Sequence, residues 1–473
     1  MKSKASSILI LLFFLSSTGG WSVSASGGCE YLLPNITTTI LDSLDHLGDW
    51  HDAGFCGDDI VVGVISSVYP DRQIDELLNG ESPRLVFHYP EQRRQAGLSS
   101  ALDSRLAEII GALHAAAPDA QIVYDVLGNF ADIPDQLPET LNWMVENDVQ
   151  IIVNLIVSPA FEFDENVLSA YETAIDDATA RDILWINNAG NFGASVYRSQ
   201  FTEGIRSRDW HSFVPEDGTV DRLLAVQAVN SDVVVRAILV ADAGLHSLTL
   251  AQFTQDDNEG YVISREAQQE DSEPYISLNV GTQPVGTELL LGLRRSSPDY
   301  TGDFSLYVYN AVITSNVGLS NDSIPRPNDD PRTLTVGSLP LPASNALGLL
   351  QSSRDADHDK PDVNTLGIIS DSSSVYSSSV SAAITAGVAA VYAGRDSGLV
   401  GASLRARLTA DLGDNQALSV PPVNPTINWL LVALGVSAVV LVMLTGFVLW
   451  HLQPKNRIPP PKDFRPSVLY ISA

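Results

Sequence analysis

The segment Tyr376–Tyr392, YSSSVSAAITAGVAAVY, runs a cluster of serines straight into a helix of small residues. It reads as a nucleophile segment with Ser379 as the reacting group. A serine hydroxyl is a poor nucleophile unless a base stands beside it and donors await the oxyanion. The rest of the chain has to supply the base, the acid that orients it and those donors.

The chain has 473 residues, of which 45% are hydrophobic, enough for one large domain or two moderate ones. Its formal net charge is −30. That balance excludes nucleic acid as a partner, which needs clustered Lys and Arg, and describes a solvated, self-repelling surface.

The amino terminus has the pattern of a secretory signal. Lys2 and Lys4 precede the apolar core Ile8–Leu15, and Val23 and Ala25 predict cleavage after residue 25. The SGGC stretch ending at Cys29 lacks the aliphatic residue a lipid-modified cysteine requires. Cys29 and Cys56 are the two cysteines, both beyond that cleavage point, and in an oxidising compartment one disulfide between them is expected. Near the other end no charge falls between Asp414 and Lys455. The apolar run 427–452, with Trp429 and Trp450 near its ends, predicts one transmembrane helix. Lys455, Arg457, Lys462 and Arg465 place the short Pro-rich tail 453–473 in the cytoplasm and the bulk of the chain outside.

From Asp59 to Val229 β-branched runs alternate with helical patterns. Strands are expected at 59–66, 120–127, 149–157, 183–189 and 222–229, with helices between them. Continuous apolar strands between helices predict a parallel sheet covered on both faces. From Ser231 to Val317 the pattern becomes short alternating strands with no helix, which predicts a small antiparallel β-sandwich. Helix and strand patterns resume at Thr333. The expected organisation is a signal peptide at 1–25, an α/β domain at 26–230 and 318–412 with the sandwich 231–317 inserted, a linker at 413–426, then the span and tail.

Taken in order, these segments resemble the subtilisin-like serine peptidases. DIVVGVISSVYPD resembles the strand that carries the family's catalytic Asp. LDSRLAEIIGALHAAAPDAQIVYDVL resembles the helix opened by the catalytic His and the strand after it. LNWMVENDVQIIVNLIVSP, WINNAGNFG and KPDV followed by the Ser379 segment match the family's substrate-pairing strand, oxyanion turn and nucleophile helix. The resemblance implies a subtilisin-like α/β fold over most of the chain outside the membrane.

The same resemblance shows what has changed. The Asp position holds Ser66 and the His position holds Leu102. Ser379 and the oxyanion residue Asn191 are kept, but Gly-Thr before the serine has become Ser377 and Ser378. The substrate-pairing residues are Ile156, Val157 and Ser158, followed by Pro159. Leucine cannot take a proton, and Ser66 cannot orient or stabilise an imidazolium. His114 lies twelve residues past Leu102, roughly 18 Å along a helix, too far to substitute. His88, between the first strand and that helix, is less constrained as a stand-in, but reads first as a satisfied structural histidine. Glu108 with Asp103 does not restore the carboxylate chemistry of sedolisins, because the His position itself is not acidic. Without a base, Ser379 reads as a helix N-cap.

Asp355, Asp357 and Asp359 alternate in a loop and form a candidate Ca²⁺ site, which subtilisin-like folds often have; no other cofactor is implied. Asn35 and Asn321 fit glycosylation acceptors. The functional expectation is a membrane-anchored, extracytoplasmic pseudopeptidase that binds a protein or peptide without cleaving it. The alternatives are an atypical serine endopeptidase using Ser379 with an unidentified base, and a structural platform.

Overall fold

The computed structural model describes residues 29, 34–67, 85–88, 103–128, 130–204, 208–213, 223–229, 231, 234–241, 244–256, 260–270, 274–315, 317, 319–320, 322–339, 352–356, 358–367, 377–411 and 417–422. They belong to one compact unit, 1–422. The expected signal peptide, transmembrane run 427–452 and tail lie outside the described residues. Among the described residues no helix is long and apolar enough to cross a membrane.

The α/β half follows its sequence pattern. Strands β1 (Val61–Ser66), β2 (Leu85–His88), β3 (Gln121–Val126), β4 (Ile151–Asn154) and β5 (Leu184–Asn188) form a parallel sheet with two later strands, β15 (Leu334–Ser338) and β16 (Val363–Thr365). Among the described residues the sheet has seven strands in the order β16-β15-β5-β4-β1-β3-β2. β1 is buried over almost its whole length, as a run such as VVGVIS must be when helices cover both faces.

Two helices cover one face: α4 (Ile133–Glu146) and α5 (Glu165–Ala180). Ile65, Val123, Ile152 and Trp185 point to that side and pack on Leu141, Met144, Tyr171 and Ile175. Helix α3 (Asp103–Ala116) and helix α6 (Ser378–Arg395) belong to the other face, and α6 lies against β4, β5 and β15. α6 is buried on nearly every side, which explains its small residues. A Cβ on Gly387 would come within 2.5 Å of the Ala116 Cβ, so only glycine lets α3 and α6 approach this closely.

Ahead of the sheet, α1 (Pro34–Ser43) and α2 (Leu47–Asp52) are tied down by the Cys29–Cys56 disulfide, the pair expected from the sequence, with a Cα–Cα distance of 5.6 Å. Trp50 on α2 carries the guanidinium of Arg395 at 4.3 Å from its ring centre and donates from Nε1 to the Pro421 carbonyl at 2.7 Å. α7 (Gly401–Ala410) completes the described helices.

The antiparallel part begins earlier than Ser231. After β5 the chain leaves the parallel sheet and does not rejoin it until β15, which pairs directly with β5. Between them lie β6 (Val196–Gln200), β7 (Leu224–Ala228), β8 (Val234–Ala241), β9 (Leu248–Asp256), β10 (Gly260–Ala267), β11 (Ile276–Thr282), β12 (Glu288–Arg295), β13 (Asp303–Tyr309) and β14 (Ala311–Ile313). They form two sheets, β10-β9-β12-β7-β14 and β11-β8-β13-β6. The strand expected at 222–229 in the parallel sheet is β7, and it pairs antiparallel with β12 and β14. Its residues alternate buried and half-buried, but the half-buried faces include Ala225, so the composition LAVQA hides the period of two. Leu239, Leu250, Leu291 and Leu306 from both sheets meet in a shared apolar core.

Candidate functional site

In an open parallel sheet, ligands are expected beyond the carboxyl ends of the strands. Here that edge brings together Ser66 at the end of β1, Asn154 of β4, Asn188 of β5, Ser338 of β15 and the first turn of α6. These are the places the sequence resemblance assigns to the Asp, the substrate strand, the oxyanion turn and the nucleophile.

The cap of α6 is Ser377, not Ser379. Ser377 Oγ accepts from the Ser379 backbone N–H at 3.2 Å, the usual bond from a cap to the second helical position. Ser378 lies between them; its N–H donates to Asn191 Oδ1 at 3.0 Å, and its hydroxyl accepts from the Gly190 N–H at 3.0 Å. Gly190 sits at φ +84°, and a side chain there would press on Phe192 and Ser353. The oxyanion turn and the helix start are thus stitched to each other, with the Asn191 carbonyl oxygen spent on the helix.

Ser379 itself is half-buried. Asn188 Nδ2 donates to its hydroxyl oxygen at 3.1 Å and also to the Leu155 carbonyl at 2.8 Å. An amide NH₂ holds no lone pair that accepts a proton, so this contact cannot activate the serine. Among the described residues no imidazole or carboxylate is hydrogen-bonded to Ser379. Leu102 lies outside the described residues. Ser66 is buried and shares a hydrogen bond with the Tyr124 phenol, whose pKa burial pushes up.

His88 is not a substitute base. Its Nδ1 pairs with Asp125 Oδ2 at 3.2 Å, and its ring stacks on Trp143 of α4 at 4.5 Å. Asp125 is fully buried and also accepts from the Thr140 hydroxyl at 2.6 Å and the Val126 N–H at 2.8 Å. Thr140 and Trp143 belong to the helix on the far face, so the sheet itself separates this histidine–aspartate pair from Ser379 on α6. Alternation along β3 decides it: Asp125 points to the α4 side and Tyr124 to the other. His114 is buried within α3.

The strand expected to pair with a substrate is already occupied. Ile156 N–H donates to Asn154 Oδ1 at 3.2 Å, and its carbonyl accepts from Asn328 Nδ2 at 3.2 Å. Ser158 instead caps a short 3-10 turn, Pro159–Phe163, accepting from Ala160 N–H at 3.3 Å. Val157 packs with Phe192 against Ile238, Val240, Tyr307, Tyr275 and Tyr309 of the sandwich. Phe192 meets Tyr307 and Tyr309 edge-on at 5.3 and 5.0 Å. Tyr309 hydrogen-bonds with Ser158, and burial raises its pKa. The inserted module is therefore seated on the ridge that a peptide would need.

Lys360 of the KPDV segment is a buried structural cation. Its ammonium donates to Asp362 at 2.5 Å and to the Thr333 and Asp330 carbonyls at 3.1 and 3.3 Å, while burial lowers its pKa. Of the calcium candidates, Asp355 is buried and bonded to His358, Asp359 is exposed, and Asp357 lies outside the described residues. Asn321 lies outside them too, and Asn35 falls in the first turn of α1. No local signal marks Asn188 or Asn328 as site residues: each is an amide whose role depends on strand ends meeting in space.

Four of the five segments bring described residues to one sheet edge, in the order that the resemblance implies; Leu102, which opens the remaining one, lies outside the described residues. The described residues form a mixed α/β fold, a parallel sheet with two separate antiparallel sheets. The chain matches no protein-family model and no curated protein sequence. It is similar to solved structures of the CspB protease of Clostridium perfringens (12% identity, covering 77% of this chain and 91% of that one, TM-score 0.41). It is also similar to a cold adapted subtilisin-like serine proteinase (11%, 77% and 85%, TM-score 0.35) and to the PatG macrocyclase in complex with peptide (11%, 78% and 86%, TM-score 0.34).

Proposed function

We propose that the protein is a membrane-anchored, extracytoplasmic pseudopeptidase, which binds a protein or peptide partner and does not hydrolyse it. The observation that carries this reading is the Asn188–Ser379 contact: the serine's neighbour is an amide donor where a base is required. Loss of a triad's base and acid removes several powers of ten in rate. The covered Val157–Ser158 ridge supports the same reading, because a substrate strand would have to displace the sandwich. The acidic surface and the expected span 427–452 fit a partner met outside the cell membrane.

The test is incubation of the full-length protein with a peptide library beside Ser379→Ala, read by mass spectrometry. The expected result is the same uncleaved library from both. Cleavage by the parent that is absent from Ser379→Ala would establish the rival reading, a serine endopeptidase with an unidentified base.

A further inference from the structure

A second cluster of ligand-type side chains stands behind the oxyanion turn, apart from Ser379. Asp355 and Lys360 close a tight turn through two backbone hydrogen bonds, of 3.1 and 2.9 Å. Inside that turn His358 folds back on Asp355: its backbone N–H donates to Oδ1 at 3.2 Å, and its Nδ1 meets Oδ2 at 2.5 Å. Asp329, from the loop that precedes β15, completes a set in which one ligand atom from each residue lies within 4.8 Å of the others.

Burial distinguishes this set from a solvated acidic loop. Asp355 is 3% exposed, Asp329 is half-buried and the His358 side chain is 57% exposed, so the set is a cup with a buried floor and one open side. Two carboxylates and an imidazole brought this close offer the ligand types that a single divalent cation takes.

We propose that Asp329, Asp355 and His358 bind one divalent first-row transition metal ion of the Zn²⁺ kind. The carboxylates offer oxygen and His358 offers Nδ1. An imidazole suits zinc, and Ca²⁺ takes oxygen ligands, so this set separates the two. The metal takes the place of the proton shared by Nδ1 and Asp355 Oδ2, and binding releases that proton to solvent. Three protein ligands leave positions for water. The site also has a structural consequence: Ser353, two residues before Asp355, bonds the Gly190 carbonyl at 3.0 Å and the Phe192 N–H at 2.9 Å. A metal clamp on this loop therefore stiffens the turn that holds Asn191.

The test is calorimetric titration of the chelator-treated full-length protein with Zn²⁺ and, separately, Ca²⁺. It is repeated with His358→Ala, whose side chain is exposed, and Asp329→Asn, each checked for folding by its thermal melt. The proposal expects one Zn²⁺ per chain, affinity lowered more than about tenfold in each variant, a Zn²⁺-dependent rise in Tm that both variants lose, and weaker binding at pH below the imidazole range. Zn²⁺ binding unchanged in both variants would assign it to other surface groups and overturn the proposal. So would the absence of stoichiometric binding, or Ca²⁺ bound in preference with His358→Ala unaffected.

Discussion

The two faces of the parallel sheet hold complementary halves of one chemistry. On the α6 face stands a serine with no imidazole or carboxylate bonded to it among the described residues: Ser379 receives Asn188, and Ser66 shares a hydrogen bond with Tyr124. On the α4 face stands an imidazole oriented by a buried carboxylate, His88 with Asp125, and among the described residues no nucleophile is bonded to it. Ser, His and Asp within one domain need not meet, because the parity of a residue along its strand sends it to one face or the other. On the α6 face Ser379 is held by Asn188 and its N–H by Ser377. The α4 face uses its pair to fasten the edge strand β2 and helix α4 to β3.

If that contrast is right, substitutions on the two faces should be costly for stability and silent for hydrolysis, in a definite order. The largest loss is expected at Asp125→Ala, which strands the Thr140 hydroxyl, the Val126 N–H and His88 at once. Breaking such a buried network costs about 3–5 kcal/mol, measurable as a shift in the urea midpoint. A loss below roughly 1 kcal/mol, the value of an exposed pair, would mean the pair does not hold the edge of the sheet.

A third imidazole sharpens the comparison, since among the described residues no carboxylate is bonded to its ring. His211 is fully buried in the sandwich, takes the Thr202 N–H at Nδ1 at 3.0 Å and meets the Tyr197 hydroxyl at 3.2 Å. Burial lowers its pKa to about 4 from 6.5. The folded state therefore resists a proton that the unfolded chain accepts. Its contribution is complete above pH 6.5 and is lost as the pH falls toward 4, by about 3 kcal/mol over that window. Unfolding free energies measured across the window should fall less steeply for His211→Gln. Parallel curves would show that this histidine is not held neutral.

On the α6 face the effects are smaller. Asn188→Ala removes the donor to both Leu155 and Ser379, for a loss of about 2 kcal/mol in chemical denaturation. Ser379→Ala leaves Asn188 bonded to Leu155 and costs at most about 1 kcal/mol. The reverse order would mean that the serine, not the asparagine, organises the edge.

The contrast also separates what a sequence displays from what it hides. The β-branched runs, the small-residue helix and the Cys29–Cys56 pair are local signals, and they describe the α/β half well. Ser66, standing where the resemblance expects an Asp, is equally visible, because it is a matter of residue identity. Three things depend on pairing and are not local. β7 looks like one more parallel strand until its partners β12 and β14 are known. His88 reads as a structural histidine, but which carboxylate satisfies it is not known until β3 fixes its face. Ser379 looks like a cap until the helix start is placed at Ser378, which gives that role to Ser377. Asp355 illustrates the same point: its neighbours in sequence suggested an all-oxygen loop, whereas its neighbours in space are Asp329 and His358.

Fluorophosphonate labelling of the folded full-length protein beside Ser379→Ala tests the central claim most directly, since the probe reacts only with an activated serine. The account predicts no labelling of either protein. Labelling of the parent that disappears in Ser379→Ala would contradict it, and would place a base beside Ser379 that Asn188 does not provide.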